Sequence, residues 1–266
     1  MERTQGSRPA PRRRTKPLRL VQLTDPHLSA AAAPLPRMGD TRDSFARCLA
    51  HARRNHFPAD ALLLTGDLVH DDDDAYPLLA AALSGLRVPV HTLAGNHDLA
   101  SPLAAALRSR PFTLAPVVRH GAWALVLVDT VVPGATHGEL SPEALALLRE
   151  SLDRHADAHV LVVMHHHPVP VGSRWLDRLG ISNAAELFRV TDGFDNVRGM
   201  VWGHVHQAFD GMRAGVMLMG TPSTCVQFEP GSTTFALDDR PPGYRWLHLY
   251  PDGRIDTRVE WVEEPA

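Results

Sequence analysis

The chain has 266 residues, 44% of them apolar and 21% charged, with a formal net charge of -3. No stretch reaches the ~18 consecutive apolar residues that a membrane-spanning helix needs, so a membrane protein is excluded and a soluble globular one expected. Residues 1–19 carry a balance of +6 (Arg3, Arg8, Arg12, Arg13, Arg14, Lys16 and Arg19 against Glu2), which leaves -9 for residues 20–266. An acidic body argues against nucleic-acid binding, which needs Lys and Arg for the phosphates.

The basic stretch is followed by no apolar segment of the kind a signal peptide carries. Residues 1–17 are therefore expected to be a disordered basic tail, and 18–266 a single domain, since the length suits one large core. Two cysteines, Cys48 and Cys225, cannot build a disulfide framework, and neither sits in a CxxC. With no export signal, a reducing cytoplasm is the expected location. The sixteen histidines are the compositional anomaly, and their positions give them meaning.

Leu18 to Leu23 reads as a first strand that runs into Thr24-Asp25-Pro26-His27. There a carboxylate and an imidazole flank a proline that stiffens the turn. An alanine- and proline-rich loop over 29–37 precedes a helix over 41–56, with Phe45, Leu49 and Ala52 on its inner face. Asp60-Ala61-Leu62-Leu63-Leu64-Thr65-Gly66-Asp67 is the central strand. Its unbroken apolar run predicts a parallel strand covered on both faces, and it ends in a carboxylate at the sheet edge where open α/β sheets bind ligands.

Asp71 to Asp74 reads as a solvated helix start, with a helix continuing over 78–86. A strand over 88–93 ends in Ala94-Gly95-Asn96-His97-Asp98, and Ser101-Pro102 opens a short helix. A strand over 123–128 and an amphipathic helix opened by Ser141-Pro142-Glu143, carrying Leu145, Leu148 and Leu152, come next. The strand over 160–164 meets His165-His166-His167, and that over 197–202 meets Gly203-His204-Val205-His206. The pieces at 207–213, 216–220, 225–228, 233–237, 244–250 and 255–262 read as antiparallel hairpins, with Asp-Gly turns at 210–211 and 252–253. The predicted architecture is α/β: two mixed β-sheets packed face to face with helices outside, a four-layer αββα sandwich.

Five apolar runs thus finish in Asp25, His27, Asp67, Asn96, His97, His165, His204 and His206. Carboxylate, amide and imidazole donors without thiolate suit manganese, iron or zinc in five- or six-coordinate sites. Eight groups exceed one ion's needs. Two ions sharing one carboxylate is the economical arrangement, with Asp67 the natural bridge.

In order and spacing class, Asp25-x-His27, Gly66-Asp67, Gly95-Asn96-His97-Asp98, His165 and Gly203-His204-x-His206 resemble the calcineurin-like metallophosphoesterases. The resemblance implies Asp25, His27, Asp67 and His206 around one divalent ion and Asp67, Asn96, His165 and His204 around the other. Iron and manganese are the expected metals and zinc a third. His97 then lies just outside the ligands as general acid, with Asp98 setting its ring tautomer or serving as a plain turn residue. Substrate contact is implied for His27, Asp67, Asn96, His97 and His206.

A narrower likeness runs through residues 133–141, 165–186, 221–228, 235–238 and 242–245. These resemble the bacterial class III 3′,5′-cyclic AMP phosphodiesterases, and the likeness covers 18–262 except for a short, alanine-rich loop at 28–40. The resemblance implies hydrolysis of 3′,5′-cyclic AMP to 5′-AMP by a metal-bridging hydroxide. The alternative is another diester of the same fold's range, such as 2′,3′-cyclic nucleotides, phospholipid diesters or pyrophosphate bonds. The expected partner is a small-molecule substrate, with neither nucleic acid nor membrane, and oligomeric state is not legible. A metal-free scaffold is disfavoured, because every ligand block holds a competent residue. His166 or His167 is a substitute ligand or phosphate contact, His70 and His137 lie in loops near the site mouth, and Trp175 reads as loop packing or a cover for a base.

Overall fold

A computed structural model describes residues 16–31 and 34–264, so most of the expected basic tail lies outside the described residues. In chain order the first part comprises β1 (Leu18–Leu23), α1 (Thr41–His56), β2 (Ala61–Thr65), α2 (Tyr76–Leu83), β3 (Val90–Leu93), α3 (Ala100–Ala106) and β4 (Phe112–Thr113). The second comprises β5 (Val117–His120), β6 (Trp123–Leu127), α4 (Pro142–Arg154), β7 (His159–Val163), α5 (Ala184–Thr191), β8 (Val197–Trp202), β9 (Phe209–Arg213) and β10 (Val216–Gly220). The short β11 (Gln227–Phe228) and β12 (Leu237–Asp238) then precede β13 (Gly243–Leu249) and β14 (Ile255–Trp261).

Two mixed six-stranded sheets result, ordered β14-β13-β1-β2-β3-β4 and β5-β6-β7-β8-β10-β9. Parallel strands β1 to β3 and β6, β7, β8 and β10 form their centres, with parallel β4 at one edge of the first sheet, antiparallel β13 and β14 on its other side, and antiparallel β5 and β9 at the edges of the second.

Alternation along β2 shows why its sequence is apolar throughout. Leu62 and Leu64 join Phe45, Leu49, Leu79 and Leu83 beneath α1 and α2. Ala61 and Leu63 point the other way, into a layer shared with Leu125, Leu161, Val163 and Val201 of the second sheet. That second sheet packs its outer face, including Val126, Val160 and Val162, against Leu148, Leu152 and Leu187 of α4 and α5. Both faces of each central strand are therefore dry, the condition that gathers most polar side chains at the strand ends. Helix boundaries follow local chemistry. The Asp40 side chain accepts from Arg42 and Asp43 N–H at the start of α1, and the Ser141 side chain from Ala144 N–H at the start of α4.

The final third differs from a run of antiparallel hairpins, because β10 pairs parallel with β8 as well as antiparallel with β9. Nor is Asp210-Gly211 a turn. It lies inside β9, where Asp210 Oδ1 accepts from the buried Arg245 guanidinium at 2.9 Å. The hairpin turns instead at Ala214 and Gly215, both left-handed (φ 49° and 83°), as a two-residue connection between twisted strands requires. Asp252-Gly253 does turn the chain between β13 and β14, with Gly253 at φ 90°. The stretch 233–237 contributes only the start of β12. Ser101 sits within α3 and does not cap it, since Leu99 holds that position. Three elements, β4, β5 and α5, have no counterpart in the sequence reading. Among the described residues, no helix is long and apolar enough to cross a membrane.

One polar contact crosses between the sheets at their far edge. His91 Nε2 of β3 lies 2.9 Å from His120 Nε2 of β5. Burial, and then His120, pushes the His91 imidazole down to about 4. The unfolded chain, with an ordinary histidine near 6.5, binds this proton more readily than the folded one. Stability should therefore fall as pH drops from about 6.5 to about 4. Urea unfolding across that range should show a smaller pH slope in His91→Leu, and an unaltered slope would contradict the neutral buried ring.

Candidate active site

Five loops leave the carboxyl ends of β1, β2, β3, β7 and β8 and meet at one rim of the sandwich. Asp25 N–H donates to Gly66 O at 3.1 Å and His27 N–H to Asp67 O at 3.0 Å, so the first two loops are laced together backbone to backbone. Gly203 N–H donates to His165 O at 3.1 Å, joining two more. Within these loops Asp25, His27, Asp67, His204 and His206 all hold left-handed backbone, with φ between 43° and 64°. Such conformations are uncommon for residues with a side chain and concentrate at functional sites. Here they turn each side chain inward just past its strand.

The approach is close enough to exclude even a methyl group. A Cβ on Gly95 would collide with the Asp67 carboxylate and backbone, and one on Gly203 with the Thr24 hydroxyl and Asp25 carboxylate.

Asp25 accepts from the His204 N–H with both oxygens at 3.0 Å, and from the Thr24 hydroxyl at 2.6 Å. Asp67 Oδ1 accepts from the His97 N–H at 2.9 Å, while its Oδ2 lies 3.3 Å from His165 Nε2 and 3.6 Å from His27 Nε2. His165 Nδ1 donates to Thr65 O at 2.8 Å and His206 Nδ1 to Val226 O at 2.7 Å, which aims each Nε2 into the cluster. Asn96 Oδ1 is 3.3 Å from His165 Nε2. His27 Nε2 and His206 Nε2 stand 3.2 Å apart, with Asp25 Oδ1 3.5 Å from the latter.

Electrostatics make the demand of this cluster plain. Burial alone would raise the Asp67 carboxyl, but the charge and hydrogen bond of His165, followed by His27, hold it well below the usual range. Burial would likewise lower His165, yet Asp67 lifts it to about 9. Burial keeps His27 well below an ordinary imidazole, and burial with the neighbouring His166 and His165 does the same for His204. Ionised Asp67 and the neutral imidazoles of His27 and His204 already hold the states that ligate metals, whereas His165 carries a proton that a cation beside its Nε2 would displace.

The donors also sit in metal-sized groups. Asp25, His27 and His206 place ligand atoms within 4.8 Å of one another, and so do Asp25, Asp67 and His165. His204 Nε2 is buried with no hydrogen-bond partner among the described residues. With the His27 proton on Nδ1, facing His70 Nδ1 at 3.1 Å, two imidazole lone pairs converge between two carboxylates. Such a pocket of lone pairs fits divalent cations held by oxygen and nitrogen.

His166 and His167 are buried beside the cluster. His166 joins His165 and His204 in a further group of ligand spacing, and its Nδ1 meets the Thr130 hydroxyl at 2.8 Å. His167 stacks on His204 at 5.8 Å with planes 20° apart.

Two aspartates behave differently from the sequence reading. Asp98 does not reach the His97 ring. Its carboxylate turns back into the loop and accepts from Leu68, Val69 and Gly95 N–H and from the Tyr76 hydroxyl. The His97 ring pairs instead with Asp71, whose Oδ2 lies 3.0 Å from Nδ1. The acidic run does open a helical turn, at Asp73–Ala75, but Asp71, though exposed, stands before it, where a left-handed backbone (φ 53°) turns it across the rim. Asp72 is also engaged, accepting from Ser29 Oγ and Ala30 N–H at 2.9 and 2.7 Å. His70 stacks on His97, centroids 4.8 Å apart and planes within 22°. Sequence spacing offered no signal for either contact beyond their lying on the loop that follows Asp67.

Comparison with known proteins agrees with this geometry. Residues 18–208 match the family described as calcineurin-like phosphoesterase. Over 246 residues the chain is 39% identical to the 3′,5′-cyclic adenosine monophosphate phosphodiesterase CpdA of Pseudomonas aeruginosa, spanning 92% of this chain and 90% of that one. A 3′,5′-cyclic-nucleotide phosphodiesterase of Nostoc sp. is 34% identical over 247 residues, 92% of this chain and 93% of the other. In fold alone, the chain is similar to a dimetal phosphatase from Danio rerio, with a TM-score of 0.67 at 14% identity over 94% of this chain and 100% of that one.

Asp98 supplies a direct check on the loop structure. Asp98→Ala would strand three backbone N–H groups and the Tyr76 hydroxyl, a loss of about 2–4 kcal/mol. Thermal unfolding should show it as a clearly lowered Tm, whereas an unchanged Tm with lost activity would return Asp98 to a direct role at His97.

Proposed function

The chain belongs to the calcineurin-like phosphoesterase family, and on that premise we propose that it hydrolyses 3′,5′-cyclic AMP to 5′-AMP as a dinuclear-metal phosphodiesterase. One observation carries the substrate: the likeness to a protein named as a cyclic AMP phosphodiesterase extends over nine-tenths of both chains. Metal chemistry alone would suit any phosphodiester.

In this reading Asp25, His27, Asp67 and His206 hold one cation, and Asp67, Asn96, His165 and His204 the other, with iron or manganese preferred. Bound there, the cations supply Lewis acidity for the phosphoryl oxygens and acidify the attacking water. The remaining work falls to the protein. Thr65 O and Val226 O fix the tautomers of His165 and His206, so both present Nε2 without rearrangement. Asn96 also orients substrate, through the amide next to His165.

Water adds to phosphorus as the P–O3′ bond breaks, and the departing ribose oxygen needs a proton. His97 gives it. Its Nδ1 is committed to Asp71, which leaves Nε2 as the ring atom free to carry and release that proton. Asp71 acts as a positioning residue, and His70, stacked behind, restrains the same ring. Localisation in the cytoplasm and a single domain over 18–266 accord with this role.

Steady-state rates with cyclic AMP, cyclic GMP, 2′,3′-cyclic AMP and a generic aryl phosphodiester test the assignment. Cyclic AMP should be among the best of the four, and finding it the poorest would sink the substrate while sparing the hydrolase. Asn96→Ala should lower metal content. His97→Ala should keep its metal while kcat falls by a factor of about 10²–10⁴. Equal metal loss in the two variants would reject the proton-donor role.

A further inference from the structure

Beyond the ligands, a chain of aromatic rings leads outward from His206. Phe228 lies flat on the His206 imidazole, centroids 4.2 Å apart and planes within 10°, and its N–H donates to His206 O at 3.2 Å. Trp175 meets Phe228 edge-on at 5.1 Å. Phe235 meets both, 5.5 Å from Phe228 and 5.4 Å from Trp175. Phe228 and Trp175 are half-buried, but Phe235 remains 47% exposed.

This exposed ring is not on a loose loop. Trp175 Nε1 donates to Ser232 Oγ at 3.0 Å, and that hydroxyl donates onward to Glu229 O at 2.8 Å. Arg174 N–H donates to Ser232 O at 3.0 Å, and Glu229 N–H to Ala236 O at 2.9 Å. Underneath, the buried Ser173 hydroxyl accepts from Gln207 Nε2 and Gly231 N–H, each at 3.0 Å. The segment 229–236 is thus fastened to 173–175 and, through Gln207, to the loop that carries His204 and His206. A large aromatic ring packed edge-on against two others on an anchored segment, with 47% of its surface open to solvent, offers a face on which a flat ring can stack.

We propose that Phe235, backed by Trp175 and Phe228, is the platform on which the base of a purine cyclic nucleotide stacks. The proposal rests on the phosphodiesterase reading above. Its occupant follows from continuity. The ring series begins at His206, one of the proposed metal ligands, so a molecule whose phosphate sits among those ligands has the platform within reach, and a 3′,5′-cyclic nucleotide carries its base one sugar ring from its phosphate. Phe235 likewise lies one ring beyond the residue that covers His206. Stacking responds to the area of a π-face rather than to its edge groups. The platform should therefore favour purines over pyrimidines and separate adenine from guanine only weakly.

Kinetics of wild type, Phe235→Ala and Phe235→Trp with cyclic AMP, cyclic CMP and methyl 4-nitrophenyl phosphate test this. In Phe235→Ala the KM for cyclic AMP should rise about tenfold, more than for cyclic CMP, with kcat changed far less. The KM for the base-free diester should move by less than about twofold, and Phe235→Trp should restore cyclic AMP binding. An equal change for all three substrates, no change for cyclic AMP, or no recovery with Trp would overturn the platform. Wild-type protein that cleaves the base-free diester but neither cyclic nucleotide would instead overturn the cyclic-nucleotide reading, and the platform with it. Normal wild-type turnover of cyclic AMP alongside an unaffected Phe235→Ala removes the platform alone.

Discussion

A carboxylate 2% exposed, with two imidazoles within 3.6 Å of one of its oxygens, cannot be left to itself. Asp67 is that group, and the rest of the rim follows from answering its charge. Taking an ion out of water costs several kcal/mol unless opposite charge or hydrogen bonds replace the lost solvent. The His97 N–H supplies one bond and His165 the charge. Imidazole nitrogens of His166, His167 and His204, unpartnered among the described residues, add buried lone pairs to the same rim, and these, like the carboxylate, are answered by a cation and not by one another.

The sandwich makes that concentration affordable. Central strands dry on both faces carry few polar groups before they end (Gln22, His91 and Thr92 are the buried exceptions on β1 and β3), and parallel strands of one sheet end on the same side. Each sheet thus delivers its polar residues to one rim, where the two rims meet. The left-handed backbone at Asp25, His27, Asp67, His204 and His206 is the local cost of turning five side chains toward one point, set against a large apolar layer between the sheets. Buried Gln22 fastens that rim from below, donating to Thr65 Oγ1 and Trp202 O and accepting from Thr221 Oγ1. Rigid delivery from strand ends is what metal ligation and phosphoryl chemistry require.

Much of this was legible in the residues themselves. The apolar run before Asp67 announced a strand covered twice, and α1 was bounded correctly by its periodicity. The groups of ligand spacing contain Asp25, His27, Asp67, His97, His165, His204 and His206 from the strand ends, together with His70 and His166 from outside that set. What escaped depended on tertiary context. Strand β4 has two residues and no pattern of its own, and Gly211 sits in a strand because Asp210 answers Arg245 from the neighbouring sheet. The exchange of roles between Asp71 and Asp98 was invisible for a similar reason. Adjacency to His97 left Asp98 open as its partner or as a plain turn residue, and three N–H groups of its own and the preceding loop hold it in the second role. Asp71 is remote in sequence and reaches the ring through a backbone conformation that no local propensity foretells.

On the proposed reading the molecule grades outward from a charged, ligating centre, through His97 as proton donor, to an aromatic surface suited to a base. The proposed chemistry depends on Asp67 being shared by two cations. Elemental analysis of wild-type protein and Asp67→Asn, each verified as folded by circular dichroism, tests that sharing most directly. The account predicts about two divalent ions per chain in the wild type and loss of both in the variant. One ion per chain in the wild type, or an undiminished content in Asp67→Asn, would contradict it.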